Sequence, residues 1–313
     1  MKLPVIDARD VEGRLTWTLI ADALEAGHRL PRAELGDLSL QRGEDTLLNR
    51  AAWIDGHGMA LKSVTIFPRN SDESPSLPTI HGLVLLFDNE TGVVKAIFDG
   101  ALITRWKTAG DSVLGARFLA RPDSKRLTIL GSGVVAQSLI ESYLELFPGL
   151  ERVSVWSRSV ENAQALVDKT ACTCSIKVAE DVAHAVSSAD IVATATLAQE
   201  PILRGDWIEP GTHVDLIGGF RPDMREADDE VMRRAEIFVD AKETTVSKTG
   251  DLIVPIEHGV IKEGDIRGDL YDLCQGGSGR TTDEAVTVFK NGGGAHLDLI
   301  VANCIYDLVA STP

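Results

Sequence analysis

The stretch Arg126-Leu-Thr-Ile-Leu-Gly-Ser-Gly-Val-Val-Ala136 constrains the fold more than any other part of the chain. Leu127, Ile129 and Leu130 are the apolar residues of a buried strand. Gly131 permits a tight turn, and Gly133 lets backbone N–H groups approach a pyrophosphate at a helix N-terminus. Ala136 is the third small residue, where helix and strand pack closely. A GxGxxA spacing alone is weak. Set between a strand and the amphipathic run Gln137 to Leu146, it predicts a dinucleotide site.

The chain on either side carries two different periods. Downstream, strand and helix alternate: strand Val153 to Trp156, helix Val160 to Thr170, strand Ser175 to Val178, helix Val182 to Val186, strand Ile191 to Thr194. Strands at His213 to Ile217 and Ile237 to Val239 follow, with a helix from Arg225 to Ala235 between them. Such alternation specifies a doubly wound parallel sheet. Upstream, a helix from Trp17 to Ala26 precedes strand-like runs at Leu47 to Ile54, Met59 to Ile66, Leu83 to Phe87 and Val93 to Phe98. Turn signals such as Asp55-Gly56 and Asn89-Glu-Thr-Gly92 bound these runs, so they read as an antiparallel meander. A helix from Leu102 to Leu119 follows, and a last helix, Ala295 to Val309, lies beyond the alternation. The expected architecture is α/β: a Rossmann doubly wound parallel sheet over 121–290, with a discontinuous α+β domain formed by 1–120 and 291–313.

Composition removes several function classes. A net charge of −16 with no basic run disfavours nucleic acid. Charges arrive too early in Met1-Lys-Leu-Pro-Val-Ile-Asp-Ala-Arg-Asp10 for a signal peptide, and no apolar run is long enough to span a bilayer, so a cytoplasmic protein without a membrane partner is expected. The four cysteines are too scattered for a disulfide framework, and neither they nor the seven histidines show metal-ligand spacing; no metal is expected.

The second strand of the nucleotide fold ends Trp156-Ser157-Arg158-Ser159. A site for NAD usually places a carboxylate there to bind the adenosine ribose. Donors occupy the position instead, which favours NADPH, with NADH the second choice. The upstream domain contributes three cations set in apolar or motif contexts: Arg50, Lys62 and Lys107. Each alone reads as a solvent-facing strand or helix charge; converging, they would clamp an anion.

In this order the motifs resemble the ornithine cyclodeaminase/mu-crystallin family over nearly the whole chain. The Arg50 and Lys62 strands match that family's substrate-carboxylate ligands, and Pro78-Thr79-Ile-His-Gly82 matches a segment bearing a substrate-side Thr. Thr104-Arg-Trp-Lys-Thr-Ala-Gly-Asp-Ser112 matches its TxxRTAAxS helix, and Phe289-Lys-Asn-Gly-Gly-Gly-Ala-His-Leu-Asp298 its C-terminal turn near the nicotinamide. The resemblance implies a homodimer formed through the strand-rich domain. It also implies substrate contacts from Arg50, Lys62, Thr79, His81 and Lys107. The implied cofactor contacts are Thr108, Gly131, Ser132, Gly133, Val134, Val135, Ser157, Arg158, Ser159, Thr194, Ala195, Gly218, Phe220 and Gly293.

Two departures bear on the reaction. In Val214-Asp-Leu-Ile-Gly-Gly-Phe-Arg-Pro-Asp-Met-Arg-Glu226, Phe220 stands where cyclodeaminating members carry an aspartate base, and Lys107 replaces the helix-motif Arg. Cyclodeamination needs a carboxylate to manage protons, and a phenyl ring cannot do so. Asp223 is the nearest substitute, with pairing to Arg221 or Arg225 or helix capping as its structural alternative. The combination resembles the branch that reduces cyclic imino acids, which implies NAD(P)H-dependent hydride transfer to C2 of Δ1-pyrroline-2-carboxylate, giving L-proline, or of its piperideine analogue. Lys62, or a water held by Thr79 and His81, would supply the proton. The alternatives, in order, are an open-chain α-imino acid reductase or amino-acid dehydrogenase, an ornithine cyclodeaminase, and a non-catalytic NADPH-binding protein.

Overall fold

A computed structural model describes residues 3–72 and 77–311; Met1, Lys2 and the last two residues, included in the readings above, lie outside it. The chain divides into two compact units, Met1–Lys107 with Gly294–Pro313, and Thr108–Gly293.

The first unit runs β1 (Val5–Ile6), α1 (Ala8–Val11), α2 (Trp17–His28), β2 (Glu34–Arg42), β3 (Asp45–Ile54), β4 (Gly58–Ile66), β5 (Ile80–Phe87), β6 (Val94–Asp99) and the first turns of α3 (Gly100–Leu119). Its strands form one sheet in the order β1-β6-β5-β4-β3-β2, antiparallel except for the β1–β6 pair. The period-two pattern sorts side chains between the two faces of this sheet. Ala52, Ile54, Ala60, Val84, Leu86, Ala96 and Phe98 are buried on one face. The opposite face leaves Leu38, Leu40, Trp53 and Leu83 exposed. Register is therefore strongly specified, because a one-residue slip would exchange the two sets.

The second unit holds β7 (Arg126–Leu130), α4 (Val134–Leu146), β8 (Arg152–Trp156), α5 (Val160–Lys169), β9 (Ser175–Val178), α6 (Val182–Ser187), β10 (Ile191–Thr194), β11 (His213–Leu216), α7 (Asp229–Arg234), β12 (Ala235–Val239), α8 (Lys242–Thr245), α9 (Gly250–Glu257), β13 (Ile266–Asp269), α10 (Leu270–Cys274) and β14 (Val286–Lys290). Its eight strands are all parallel, in the order β13-β12-β14-β11-β10-β7-β8-β9. Strand order reverses between β7 and β10, which opens a crevice at their carboxyl ends. The last helix, α11 (Ala295–Ala310), belongs to the first unit and packs across β3, β4 and β5 and against α2. Gly27 of α2 is needed there, since a Cβ on it would lie 2.4 Å from Ile300.

The α/β class and the parallel nucleotide sheet agree with the sequence reading, and four points differ. The units divide at 107/108 and 293/294 rather than at 120/121 and 290/291. The later half of α3 is held within the second unit: a Cβ on Gly115 would lie 2.8 Å from the Phe289 ring, and Ser112 Oγ donates to Asp215. β2 carries no half-buried alternation, all nine residues being exposed, so the periodic signal was missing. β13 and β14 lie beyond the last expected strand, and β14 sits inside the sheet. Finally, the helix expected over Arg225 to Ala235 is shortened to α7. Asp228 caps its N-terminus by accepting from the Val231 N–H, while the N–H groups of Glu226 and Ala227 donate to Asp251 instead of to helical carbonyls.

Candidate active site

The crevice at the β7/β10 reversal is built on Gly131. Its φ of +134° suits glycine, and a Cβ there would sit 2.5 Å from the Ala195 carbonyl oxygen. Gly133 begins α4 with no side-chain cap, and nothing lies within 4 Å of where its Cβ would be. The first N–H groups of α4 are thus open to an anion, with the helix dipole behind them. Around them lies a cavity of about 620 Å³ lined in part by Gly131, Ser132, Gly133, Ser157, Arg158 and Ala195. Ser132 Oγ donates to Ser157 Oγ at 3.0 Å. Arg158 is exposed and, among the described residues, makes no ion pair. These features fit a dinucleotide: uncapped amides for the pyrophosphate, and at the end of β8 a cation rather than a carboxylate.

Behind this crevice lies a buried acidic network that the sequence reading did not single out. Glu226, wholly buried, accepts from Thr194 Oγ1 (2.6 Å), Thr196 N–H and Oγ1 (both 2.7 Å) and Gly218 N–H (2.6 Å). Burial and the Asp251 carboxylate push its pKa up. Asp251 binds the N–H groups of Glu226 and Ala227 and forms an ion pair at 3.1 Å with Lys290, both side chains fully buried. Asp215 accepts from Ser112 Oγ and Tyr143 Oη, and burial lifts it to about 7. Asp240 accepts from the N–H groups of Gly292 and Gly293. Glu226 fixes backbone just beyond β10 and β11, and Asp240 does so beyond β14, so those three loops are held in place. An Asp or Glu within an otherwise apolar segment was the available signal.

In the first unit Arg50, Lys62 and Lys107 come together from one sheet face and α3, against Asp298 of α11. Arg50 and Lys62 are directly opposite across the β3–β4 pair. Lys62 Nζ donates to Thr104 Oγ1 (2.6 Å) and to Asp298 Oδ1 (3.2 Å), and Thr104 Oγ1 donates onward to the Gly100 carbonyl. Lys107 Nζ stands 2.8 Å from the same Asp298 oxygen and donates to the Gly294 carbonyl at 3.3 Å. Arg50 is held by Asp37 at 3.2 Å. Burial pushes Lys107 down to about 8, with Asp298 opposing that shift and Lys62 and Arg50 adding to it. Asp298 itself stays below the ordinary carboxylate range: burial works to raise it, and the two ammonium groups outweigh that. Three cations and only two carboxylates leave this cluster with a surplus positive charge, suited to an anionic ligand.

The remaining expected residues are distributed unevenly. His81 pairs with Thr65, an odd step from Lys62 in β4, so it projects from the opposite face of the sheet; Thr79 lies past the Ile66–Ile80 end of the β4–β5 pair. Neither joins the cluster. Val134 and Val135 open α4, while the Ser159 hydroxyl caps α5 by accepting from Asn162 N–H. Thr194 and Gly218 face Glu226 rather than the crevice. The Thr108 carbonyl is bound by Asn291, and Gly293 by Asp240. Phe220 is exposed. Asp223 is also exposed and locked to Arg221 at 2.8 Å, which holds its pKa low, the wrong direction for a general acid at neutral pH. Asp298 was quoted only as the end of a motif; a buried aspartate on an apolar helix requires a cation, and Lys62 and Lys107 are its cations. Among the described residues no cluster suited to a metal occurs and no helix is long and apolar enough to cross a membrane.

With this geometry in hand, comparison with known proteins is informative. The chain is 47% identical over 303 residues to a Delta(1)-pyrroline-2-carboxylate reductase of Paracoccus denitrificans, covering 96% of this chain and 95% of that one. Among solved structures it resembles Thermococcus litoralis Delta(1)-pyrroline-2-carboxylate reductase in complex with NADH and L-proline, with a TM-score of 0.89, 28% identity and 98% of each chain covered. An archaeal alanine dehydrogenase dimer with bound NAD matches with a TM-score of 0.90 at 27% identity, covering 99% of this chain and 97% of that one. Residues 51–312 match the family description, and the chain belongs to the ornithine cyclodeaminase/mu-crystallin family.

Proposed function

We propose that this chain is an NAD(P)H-dependent imine reductase that converts Δ1-pyrroline-2-carboxylate to L-proline and accepts the six-membered piperideine analogue. The observation that carries the reading is the cluster of Arg50, Lys62 and Lys107 around Asp298, a buried site with surplus positive charge for a small carboxylate. The names of similar proteins support the same substrate class. A dihydronicotinamide, when bound, supplies the hydride. The protein's residues then have to hold the carboxylate, orient the ring and deliver one proton. Arg50 and the two lysines hold the carboxylate. The absence of a carboxylate at Phe220, and the pairing of Asp223 with Arg221, speak against cyclodeamination.

The test follows NADPH absorbance with pyrroline-2-carboxylate, piperideine-2-carboxylate and open-chain imino acids, alongside ornithine with oxidised cofactor. Turnover confined to the cyclic imines is expected. Preference for an open-chain imine would move the enzyme to the amino-acid dehydrogenase reading, release of ammonia from ornithine would restore the cyclodeaminase, and nucleotide binding without any turnover would leave a binding protein.

NADPH is the proposed cofactor because Arg158 makes no ion pair among the described residues and the end of β8 carries no acid. Arg158→Ala should raise KM for NADPH about tenfold or more, the worth of a charge-assisted contact, while moving that for NADH less than about twofold. Equal effects on both would remove the 2'-phosphate contact.

The proposed assembly is a homodimer through the sheet face bearing Leu38, Leu40, Trp53 and Leu83, an apolar surface of a kind monomers rarely leave open. Leu40→Asp should convert the dimer to monomer in sedimentation velocity; an unchanged sedimentation coefficient would place the interface elsewhere. The proposed setting is the cytoplasm, which cell fractionation would check.

A further inference from the structure

The function proposed above leaves its proton without a source, and the cationic cluster supplies one. Two ammonium groups share a single oxygen, Asp298 Oδ1, at 3.2 Å for Lys62 and 2.8 Å for Lys107, and the side chain of Asp298 is completely buried. They are held differently. Lys62 is tied into a chain of donors that runs through Thr104 to the Gly100 carbonyl. Among the described residues, Lys107 Nζ has only the long contact to the Gly294 carbonyl besides Asp298. The charged and titratable groups facing Lys107 are Asp298 and His296 from α11, Lys62 from β4 and Arg50 from β3; Arg50 in turn carries Asp37 from β2. Three of these are cationic or can become so, and one carboxylate opposes them directly. Removing the proton of Lys107 relieves repulsion from both Lys62 and Arg50.

Resting on the cyclic-imine reading, we propose that Lys107 is the acid that protonates the ring nitrogen, and that Asp298 is the positioning residue that keeps Lys107 a donor and holds it apart from Lys62. In the step, an N–H bond of the Lys107 ammonium breaks and an N–H bond forms on the imine nitrogen, leaving a neutral lysine amine and an iminium ion. The hydride of the dihydronicotinamide then forms the C2–H bond, and the C=N π pair becomes the lone pair of the amine. The imine is reduced, the dihydronicotinamide is oxidised, and Lys107 recovers its proton from solvent. An ammonium that burial brings to about 8 donates near neutral pH far more readily than an ordinary lysine.

The sign of the pH dependence follows. Below about 8 Lys107 is protonated and competent, and above it the rate falls. Replacing Asp298 by Asn removes the one opposing charge in contact with Lys107, so the alkaline limb of kcat should move to lower pH, whatever the change in its plateau. Lys107→Arg keeps the charge but cannot release a proton. It should lower kcat about a hundredfold or more, the usual worth of a general acid, with KM changed less than about threefold. A second measurement needs no turnover. Calorimetry in buffers of different ionisation enthalpy should show proton uptake when pyrrole-2-carboxylate binds the wild-type protein at pH 8.5, because the ligand's carboxylate raises the pKa of Lys107. Lys107→Arg should take up none.

Superimposable limbs in wild type and Asp298→Asn, or equal proton uptake in wild type and Lys107→Arg, would overturn the proposal, since the titrating group would then be the substrate or another residue. Should Asp298→Asn fail to fold, the Lys107→Arg comparison alone still decides. Proton uptake in wild type and none in Lys107→Arg, with no cyclic imine reduced, would instead sink the substrate assignment while supporting Lys107 as the titrating group.

Discussion

Lys62→Met is expected to lower turnover of a cyclic imine by about a hundredfold or more, the scale of losing a preorganised donor, while the dissociation constant for the nucleotide stays within about twofold. Lys62 belongs to the unit that lacks the glycine turn, and its nitrogen contacts Thr104 and Asp298 of that same unit. Methionine fills similar volume. Asp298 also retains Lys107 at 2.8 Å, so the substitution leaves no carboxylate stranded and the fold should survive. Steady-state kinetics with the wild type's preferred imine, paired with fluorescence titration of NADPH, reads both halves. Turnover within about threefold of wild type would remove Lys62 from the mechanism, whatever its burial.

Lys290→Met should destabilise the protein by about 3–5 kcal/mol, the cost of removing one partner from a buried ion pair. Its ammonium faces Asp251 at 3.1 Å, with both side chains inaccessible, and it also lowers the pKa values of Glu226 and Asp215. Without that cation the buried acids hold their protons more tightly in the folded state than in the unfolded chain. The folded state then binds excess protons between the two pKa values, so stability is retained at low pH and lost as pH rises. The deficit relative to wild type should therefore be larger at pH 8 than at pH 5 in urea unfolding. A deficit that does not change with pH would mean that Lys290 contributes packing alone.

The nucleotide half was legible because its signal is local. Gly131 needs a left-handed backbone and no Cβ, and both requirements are visible in a six-residue spacing that ends in Ala136. Lys62 and Arg50 could be named from their motifs, while their meeting across β3 and β4 depends on register that no single segment encodes. His81 shows the converse. It sits in a motif that resembles a substrate segment, but strand alternation turns it to the far face. Asp298, Glu226, Asp251 and Lys290 escaped notice because a buried charge has meaning only beside its partner, and these partners lie 236, 191, 25, 32 and 39 positions apart or come as backbone N–H groups. β2 was missed because all nine of its residues are exposed, so it carries no half-buried alternation.

The place of β14 has a consequence for how the chain acquires its structure. This strand is the last of the nucleotide sheet to be synthesised, yet it lies between β11 and β12, bonded to both. Until residues 286–290 emerge, the sheet is two fragments with unpaired edges, and α11, which covers the other sheet, follows only afterwards. The second unit lacks a central strand until β14 is made, and the first lacks its covering helix until α11 is made. Both units therefore wait for the last part of the chain, and the long-range parallel pairings place the protein among slow folders that expose strand edges to aggregation or to chaperones. A ribosome-bound chain stalled before Val286 should stay protease-sensitive throughout, with protection of the second unit appearing only once β14 has emerged and that of the first only once α11 has.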